Sequence, residues 1–112
     1  MKLASLNEPM LICASADVPV GVPYNIAQYA LLTHLLAHEC GYDVGEFIWT
    51  GGDVHIYTNQ LELAKEQLTR DPRLLPKLYL NPEVKSIFDF KAEDIQILDY
   101  NPLDKIDYPV AI

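Results

Sequence analysis

A mostly apolar stretch without a helix breaker, residues 24–40 (YNIAQYALLTHLLAHEC), constrains the fold of this chain more than any other feature. It predicts a helix of about four turns. Pro23 precedes it, where proline favours a helix start, and Gly41 follows it, where glycine favours a left-handed stop. Apolar side chains cover nearly the whole circumference and leave only a narrow polar strip at Gln28 and His38. We therefore expect a helix at the centre of the core.

Three runs rich in apolar, β-branched or aromatic residues predict strands: residues 10–15, 44–50 and 54–58. Between the last two lie Gly51 and Gly52, which allow two interpretations. They form either a tight hairpin turn or a bulge that bends one long strand. In both cases His55 and Tyr57 are two residues apart and point to the same face.

The second half of the chain predicts a short helix and several extended pieces. Asn59 followed by Glu62 indicates a helix cap with a returning carboxyl, which opens a helix that ends near Arg70. Short apolar pieces predict edge strands or extended cover: residues 75–80, 86–90 and 95–98. Residues 101–112 show no period, yet they end in an apolar Pro-Val-Ala-Ile, so we expect another part of the molecule to receive them.

These elements predict a single α+β domain over residues 1–112, with the central apolar helix packed on a mixed or antiparallel sheet. The formal net charge is −8, from 8 basic and 16 acidic residues, and it disfavours binding to nucleic acid or anionic membrane surfaces. No apolar run is long enough to span a bilayer, and residues 1–10 are too polar for a signal peptide, so we expect a cytoplasmic protein. Cys13 and Cys40 form no metal-binding or disulfide pattern. His34 and His38 lack the glutamate of a zinc peptidase helix, so we expect no metal.

Residues 15–27 (SADVPVGVPYNIA) resemble the S-x-D-x-x-x-G-x-P-[FY]-N-I-A segment of thymidylate synthase. Further segments resemble the same family in the same order: residues 29–34, 51–57, 70–78, 87–90 and 109–112. The resemblance runs from about Leu11 to Ile112, whereas residues 1–10 match nothing that we can place. It implies a thymidylate synthase-like fold and a homo-oligomer.

The thymidylate synthase family methylates dUMP to dTMP with methylenetetrahydrofolate as co-substrate. The resemblance implies that Asn25 hydrogen-bonds the uracil edge, because an amide can both donate to O4 and accept from N3–H. It also implies that His55 and Tyr57 hold the deoxyribose 3′-hydroxyl, and that Ser15 contacts the phosphate. Four further residues would serve the folate side of the site: Asp17, Gly21, Ala111 and Ile112.

Two departures from the family pattern affect the chemistry. The family nucleophile is a cysteine in a Pro-Cys-His segment that precedes the matching part of the fold, and neither Cys13 nor Cys40 lies in such a segment. The family also places Gln-Arg before the serine, with the arginine on the phosphate, whereas this chain has Cys13-Ala14. The chain therefore resembles the C-terminal, substrate-holding portion of a thymidylate synthase that is inactive alone. The alternative is a non-catalytic nucleotide-binding or dimerisation module derived from that fold.

Overall fold

A parallel pair of strands joined by a long helix forms the first half of the molecule. The computed structural model describes residues 10–110, in which β1 (Met10–Asp17) pairs with β2 (Ile48–His55). Parallel neighbours require a crossover connection, and α1 (Gly21–Cys40) provides it. The register pairs Met10 with Ile48 and Asp17 with His55. Both strands therefore end at the same edge of the sheet.

The Gly51-Gly52 pair lies inside β2, so the two runs form one strand, and neither the predicted hairpin turn nor the predicted bulge is formed. Cys13 pairs with Gly51 and Ser15 with Asp53, so the register is the same on both sides and no extra residue is inserted. A Cβ at Gly51 would overlap both the Val54 side chain and the Trp49 ring. Close packing by these two neighbours is the physical reason for glycine at this position.

The predicted helix is present, although it begins at Gly21, three residues before its predicted start. Gly41 ends it in the left-handed conformation with φ 69°, as the sequence predicted. The central position of α1 in a core is not confirmed, because Thr33 and Ala37 are its only buried residues. The helix contacts β1 on one side, and Tyr24 remains 75% exposed. The apolar circumference is therefore only partly covered within residues 10–110.

The carboxyl end of α1 is fixed to residues 84–90. His38 Nε2 lies 2.6 Å from the carbonyl oxygen of Val84, and its ring meets the Phe90 ring edge to face at a centroid distance of 5.4 Å. Because a carbonyl can only accept, the His38 ring donates this hydrogen bond. Glu39 accepts from the backbone N–H of Ile87 at 2.8 Å. His38 therefore anchors the carboxyl end of α1.

The second half contains a short helix, α2 (Leu61–Leu68), and an antiparallel pair, β3 (Lys77–Leu80) with β4 (Ile95–Leu98). The molecule has the mixed helix and strand content expected, but residues 10–110 form two separate two-stranded sheets instead of one mixed or antiparallel sheet. The predicted extended piece at 86–90 is a 3-10 turn, Ile87–Asp89, because Ser86 Oγ accepts from the Phe88 N–H and closes the chain locally.

The connection between β3 and β4 is closed by Asn81 and Asp94. The Asn81 backbone N–H donates to the Asp94 carbonyl at 2.9 Å, and Asn81 Nδ2 donates to Asp94 Oδ1 at 2.7 Å. The Asn81 side-chain contact, together with the Lys91 N–H, holds the pKa of the Asp94 carboxyl below its usual value. No helix within residues 10–110 has the length and apolar character required to cross a membrane.

Gly51→Ala should lower the free energy of unfolding by about 1–3 kcal/mol, because the added methyl group must displace Trp49 or Val54. Gly21→Ala is the matched control, since a Cβ there meets its nearest neighbours at 3.8 and 3.9 Å, which is ordinary contact. Urea unfolding followed by far-ultraviolet circular dichroism measures both. Equal midpoints for the two variants would show that the space at Gly51 does not limit stability.

Candidate functional site

The carboxyl ends of β1 and β2 meet where α1 begins. Asp17 is the register partner of His55, and the N–H of Val18 donates to the His55 carbonyl at 3.0 Å. The helix starts only four residues after Asp17, at Gly21. Ligands of open α/β sheets bind at the carboxyl ends of parallel strands. This edge is therefore the candidate functional site.

Asp17, Gly21 and Asn25 form the first part of this site. A Cβ built on Gly21 would lie 3.8 Å from Asp17 Cβ and 3.9 Å from Asn25 Oδ1, which places the three residues side by side. Asp17 Oδ1 is buried and has no hydrogen-bond partner among residues 10–110. A buried acceptor without a donor costs about 1–3 kcal/mol. Such an oxygen is typical of a site that receives a donor from a ligand.

His55 and Tyr57 form the second part. Their rings meet edge to face, with centroids 4.9 Å apart and planes at 74°, which confirms that the two side chains share a side. His55 Nδ1 lies 3.6 Å from Asp53 Oδ1. Tyr57 is 42% exposed, and His55 is partly exposed, so both can reach a molecule at this edge. Ring nitrogen and phenol hydroxyl together offer both donor and acceptor capacity.

Ser15 lies on β1, two residues before Asp17, and is exposed. Alternation along the strand puts Ser15 and Asp17 on the same face, about 7 Å apart along the chain. The structure thus places Ser15 near the edge of the site, and its side chain makes no hydrogen bond to the other predicted members within residues 10–110. The predicted folate-side residues Ala111 and Ile112 lie outside the described residues.

Gln60 is a site residue that the sequence interpretation missed. It is fully buried, with 0% exposure, in the 3-10 turn Thr58–Gln60 that follows β2. Gln60 Oε1 accepts from the Tyr57 N–H at 3.1 Å, and Gln60 Nε2 donates to Asp17 Oδ2 at 3.2 Å and to the Pro109 carbonyl at 3.0 Å. One amide therefore contacts both parts of the site and the C-terminal segment.

A sequence signal for this contact did exist. A side chain that returns to the backbone three residues earlier is typical of helix starts, and Tyr57 and Gln60 have that spacing. The prediction assigned the same pattern to Asn59 and Glu62, which was wrong. Glu62 instead pairs with Lys65 at 2.7 Å on the exposed surface. Arg70 likewise contacts Glu66, four residues earlier, at 3.4 Å.

Residues 101–110, here called the tail, are held along α2 and the residues after it. Four hydrogen bonds connect them: Arg73 to the Asn101 carbonyl, Arg70 to the Asp104 carbonyl, Tyr108 to Gln67 Oε1, and Gln60 to the Pro109 carbonyl. The last of these bonds brings the tail beside Asp17. The C-terminal segment is therefore held by another part of the molecule as far as Pro109, whereas Val110 is 70% exposed and residues 111–112 lie outside the described residues.

Both cysteines lie away from this site. Cys13 precedes Asp17 by four strand residues, which corresponds to about 13 Å along β1. Cys40 ends α1, and the 15 residues from Asn25 correspond to about 22 Å of helix. Neither cysteine therefore adjoins Asp17 or Asn25 along its own element.

The thymidylate synthase family profile matches residues 5–112 of the sequence. The chain belongs to the thymidylate synthase family. Among solved structures, the thermostable thymidylate synthase A from Bacillus subtilis is similar with a TM-score of 0.87 and 37% sequence identity. The match covers 90% of this chain and 36% of that structure. The chain thus spans about a third of the length of a thymidylate synthase to which it is similar.

Tyr108 tests whether the tail is held in solution. Burial raises the pKa of the Tyr108 hydroxyl above its usual value of about 10. The neutral phenol is favoured by folding, so its contribution to stability is complete below about pH 10 and is lost as the pH rises through the folded pKa. As the pH rises from about 9 to 11, the free energy of unfolding should therefore fall less for Tyr108→Phe than for the parent chain. Urea midpoints at several pH values measure this loss, and equal losses would contradict burial of Tyr108.

Proposed function

We propose that this chain is the substrate-holding, C-terminal portion of a thymidylate synthase. It contributes to a pocket for dUMP and methylenetetrahydrofolate, and it requires a further portion of that fold for turnover. The single observation that carries the proposal is the convergence of Asp17, Gly21 and Asn25 with His55 and Tyr57 at one sheet edge. These are residues that the resemblance assigns to dUMP and folate.

The chemistry of these groups supports the assignment. The amide of Asn25 offers a donor and an acceptor to the uracil edge, and His55 and Tyr57 can form hydrogen bonds with the deoxyribose 3′-hydroxyl. The buried Asp17 Oδ1 can accept a hydrogen bond from an N–H group, and the ring system of a folate provides such a group. Ser15 supplies a hydroxyl to the phosphate. In this proposal the folate is a co-substrate, and the chain uses no metal.

The first step of the family reaction is attack of a cysteine thiolate on C6 of the pyrimidine ring. Cys13 lies about 13 Å before Asp17 along β1, and Cys40 lies about 22 Å from Asn25 along α1, which supports a nucleophile from outside this chain. Loss of a covalent nucleophile removes the reaction path instead of weakening a single contact. The exposed Ala14, where the family pattern has arginine, removes one phosphate contact as well.

An open apolar groove supports a missing neighbour. It has a volume of about 520 Å³ and lies between α1 and the β3–β4 pair. Its apolar lining includes Ala27, Leu31, Leu78 and Ile97. Only Ala16 and Ala37 are buried among the apolar residues of the described chain. Apolar surface of this extent in a soluble protein marks a contact with another polypeptide.

The decisive experiment adds an N-terminal thymidylate synthase portion that carries the Pro-Cys-His segment. We expect no conversion of dUMP to dTMP by the chain alone, and measurable conversion by the mixture, including when Cys13 and Cys40 are both changed to serine. Asn25→Asp should lower kcat/KM of the mixture for dUMP by about 10- to 100-fold, because a carboxylate cannot donate to the uracil O4. Release of tritium from C5-labelled dUMP measures turnover.

Asn101→Asp is the matched control, since it introduces the same charge on an exposed residue of the tail. It should leave kcat/KM unchanged. Turnover by the chain alone that survives both cysteine substitutions would overturn the proposed mechanism. Absence of turnover in the mixture, with self-association intact, would instead support the non-catalytic nucleotide-binding or dimerisation module.

We also expect the chain to self-associate through the face of the β1–β2 sheet that carries Met10, Ile12 and Val54. Met10, Ile12 and Val54 share this face by strand alternation and register, and they are 61%, 70% and 50% exposed. Ile12→Lys should shift the chain towards monomer, since it places a charge in the centre of an apolar contact. Leu74→Lys, at a residue that is 94% exposed in a loop, should have no effect. Light scattering at tens of micromolar measures this, and a monomeric parent chain would refute it.

A further inference from the structure

The geometry points to Gln60 as a positioning residue that couples the tail to both parts of the candidate site. Its carboxamide has two chemically different ends. The oxygen accepts from the Tyr57 backbone, whereas the nitrogen donates to the Asp17 carboxylate and to the Pro109 carbonyl. These three partners lie on three separate segments of the chain. The inference rests on the proposed function only for the role of the pocket, because the contacts themselves need no ligand.

Burial of Gln60 makes all three of its hydrogen bonds necessary. Gln60 is 0% exposed, so water cannot replace a partner that is lost. The nitrogen of a carboxamide carries two N–H groups, and here each has one acceptor. Displacement of the tail would leave one N–H without a partner in a buried place, which is costly. The tail is therefore held by the same amide that contacts Asp17 and Tyr57.

The charge distribution fixes the direction of the amide. Asp17 Oδ2 is an acceptor when ionised, so it requires the nitrogen of Gln60, and the Tyr57 N–H requires the oxygen. In a flipped amide, the Gln60 oxygen would face the Asp17 carboxylate, and the Gln60 N–H groups would face the Tyr57 N–H. Gln60 therefore holds one orientation, and that orientation also presents a donor to the tail at Pro109. Asp17 and Tyr57 thus determine where the tail is held.

Two substitutions separate the ends of the amide. Gln60→Glu at pH 8 keeps an acceptor for the Tyr57 N–H but removes both donors, whereas Gln60→Met keeps the length and removes donors and acceptor. Hydrogen exchange of the Tyr57 amide reports on the acceptor end. Nitrogen relaxation of the Val110 amide reports on the order of the tail at the donor end. Both measurements use the full chain without ligand.

We expect Gln60→Glu to mobilise Val110 while the exchange rate of the Tyr57 amide stays within about twofold of the parent. Gln60→Met should mobilise Val110 and also raise the Tyr57 exchange rate by about two- to tenfold, the ratio that corresponds to one net hydrogen bond. Gln67→Glu, on the helix α2 that follows Gln60, is the matched control. It adds the same charge and keeps an acceptor for the Tyr108 hydroxyl, so it should change neither measurement.

Unchanged relaxation of Val110 in Gln60→Glu would overturn the inference, as would an equal rise of Tyr57 exchange in both variants, which would reduce Gln60 to a packing residue. If the introduced carboxylate prevents folding, Gln60→Met decides alone. Its prediction then fails if Val110 keeps the order of the parent. None of these outcomes depends on turnover, so a failed complementation with normal coupling would reject the proposed function and leave the role of Gln60 intact.

Discussion

The parallel, in-register pairing of β1 with β2 is the constraint on which the rest of the molecule depends. Because the strands run in the same direction and end together, Asp17 and His55 are neighbours, and the connection between them must cross the sheet as a helix. That helix begins at the same edge, so Asn25 is brought to the other two residues. A shift of one residue in register would move alternate side chains to the opposite face and disperse the site.

The parallel pair does not by itself provide a closed interior. Most of the large apolar residues of the chain are at least partly exposed, and α1 buries only Thr33 and Ala37. Burial of apolar surface is the main favourable term in folding, at about 25 cal/mol per Å². Much apolar surface therefore remains exposed, and its burial against another polypeptide would be favourable. Within the chain, local polar contacts also hold segments together, such as those of Asn81 with Asp94 and of His38 with Val84.

Features set by local residue chemistry were predictable from the sequence. The breaker-free run and Gly41 indicated α1 and its end, and the two-residue spacing placed His55 and Tyr57 on one side. Features that depend on neighbours distant in sequence were not. An apolar circumference shows that a helix can be buried, but only the tertiary contacts show how much is covered. The division into two small sheets likewise depends on which strands meet.

The candidate site shows the same division. A resemblance in sequence named Asp17, Gly21, Asn25, His55 and Tyr57, and the parallel register explains why they meet. Gln60 was missed because its partners, apart from Tyr57, lie 43 and 49 residues away along the chain. No local pattern distinguishes a glutamine with such partners from one that faces solvent. Its importance appears only from zero exposure combined with complete use of its amide.

The manner in which the tail is held has an evolutionary consequence. Arg70, Arg73 and Gln60 all donate to main-chain carbonyls of the tail, and every residue type supplies such a carbonyl. Tyr108 is the exception, since its own hydroxyl makes the contact. Most tail positions can therefore accept new side chains without loss of attachment. Substitutions should therefore accumulate faster at tail positions than at the residues whose side chains bind the tail.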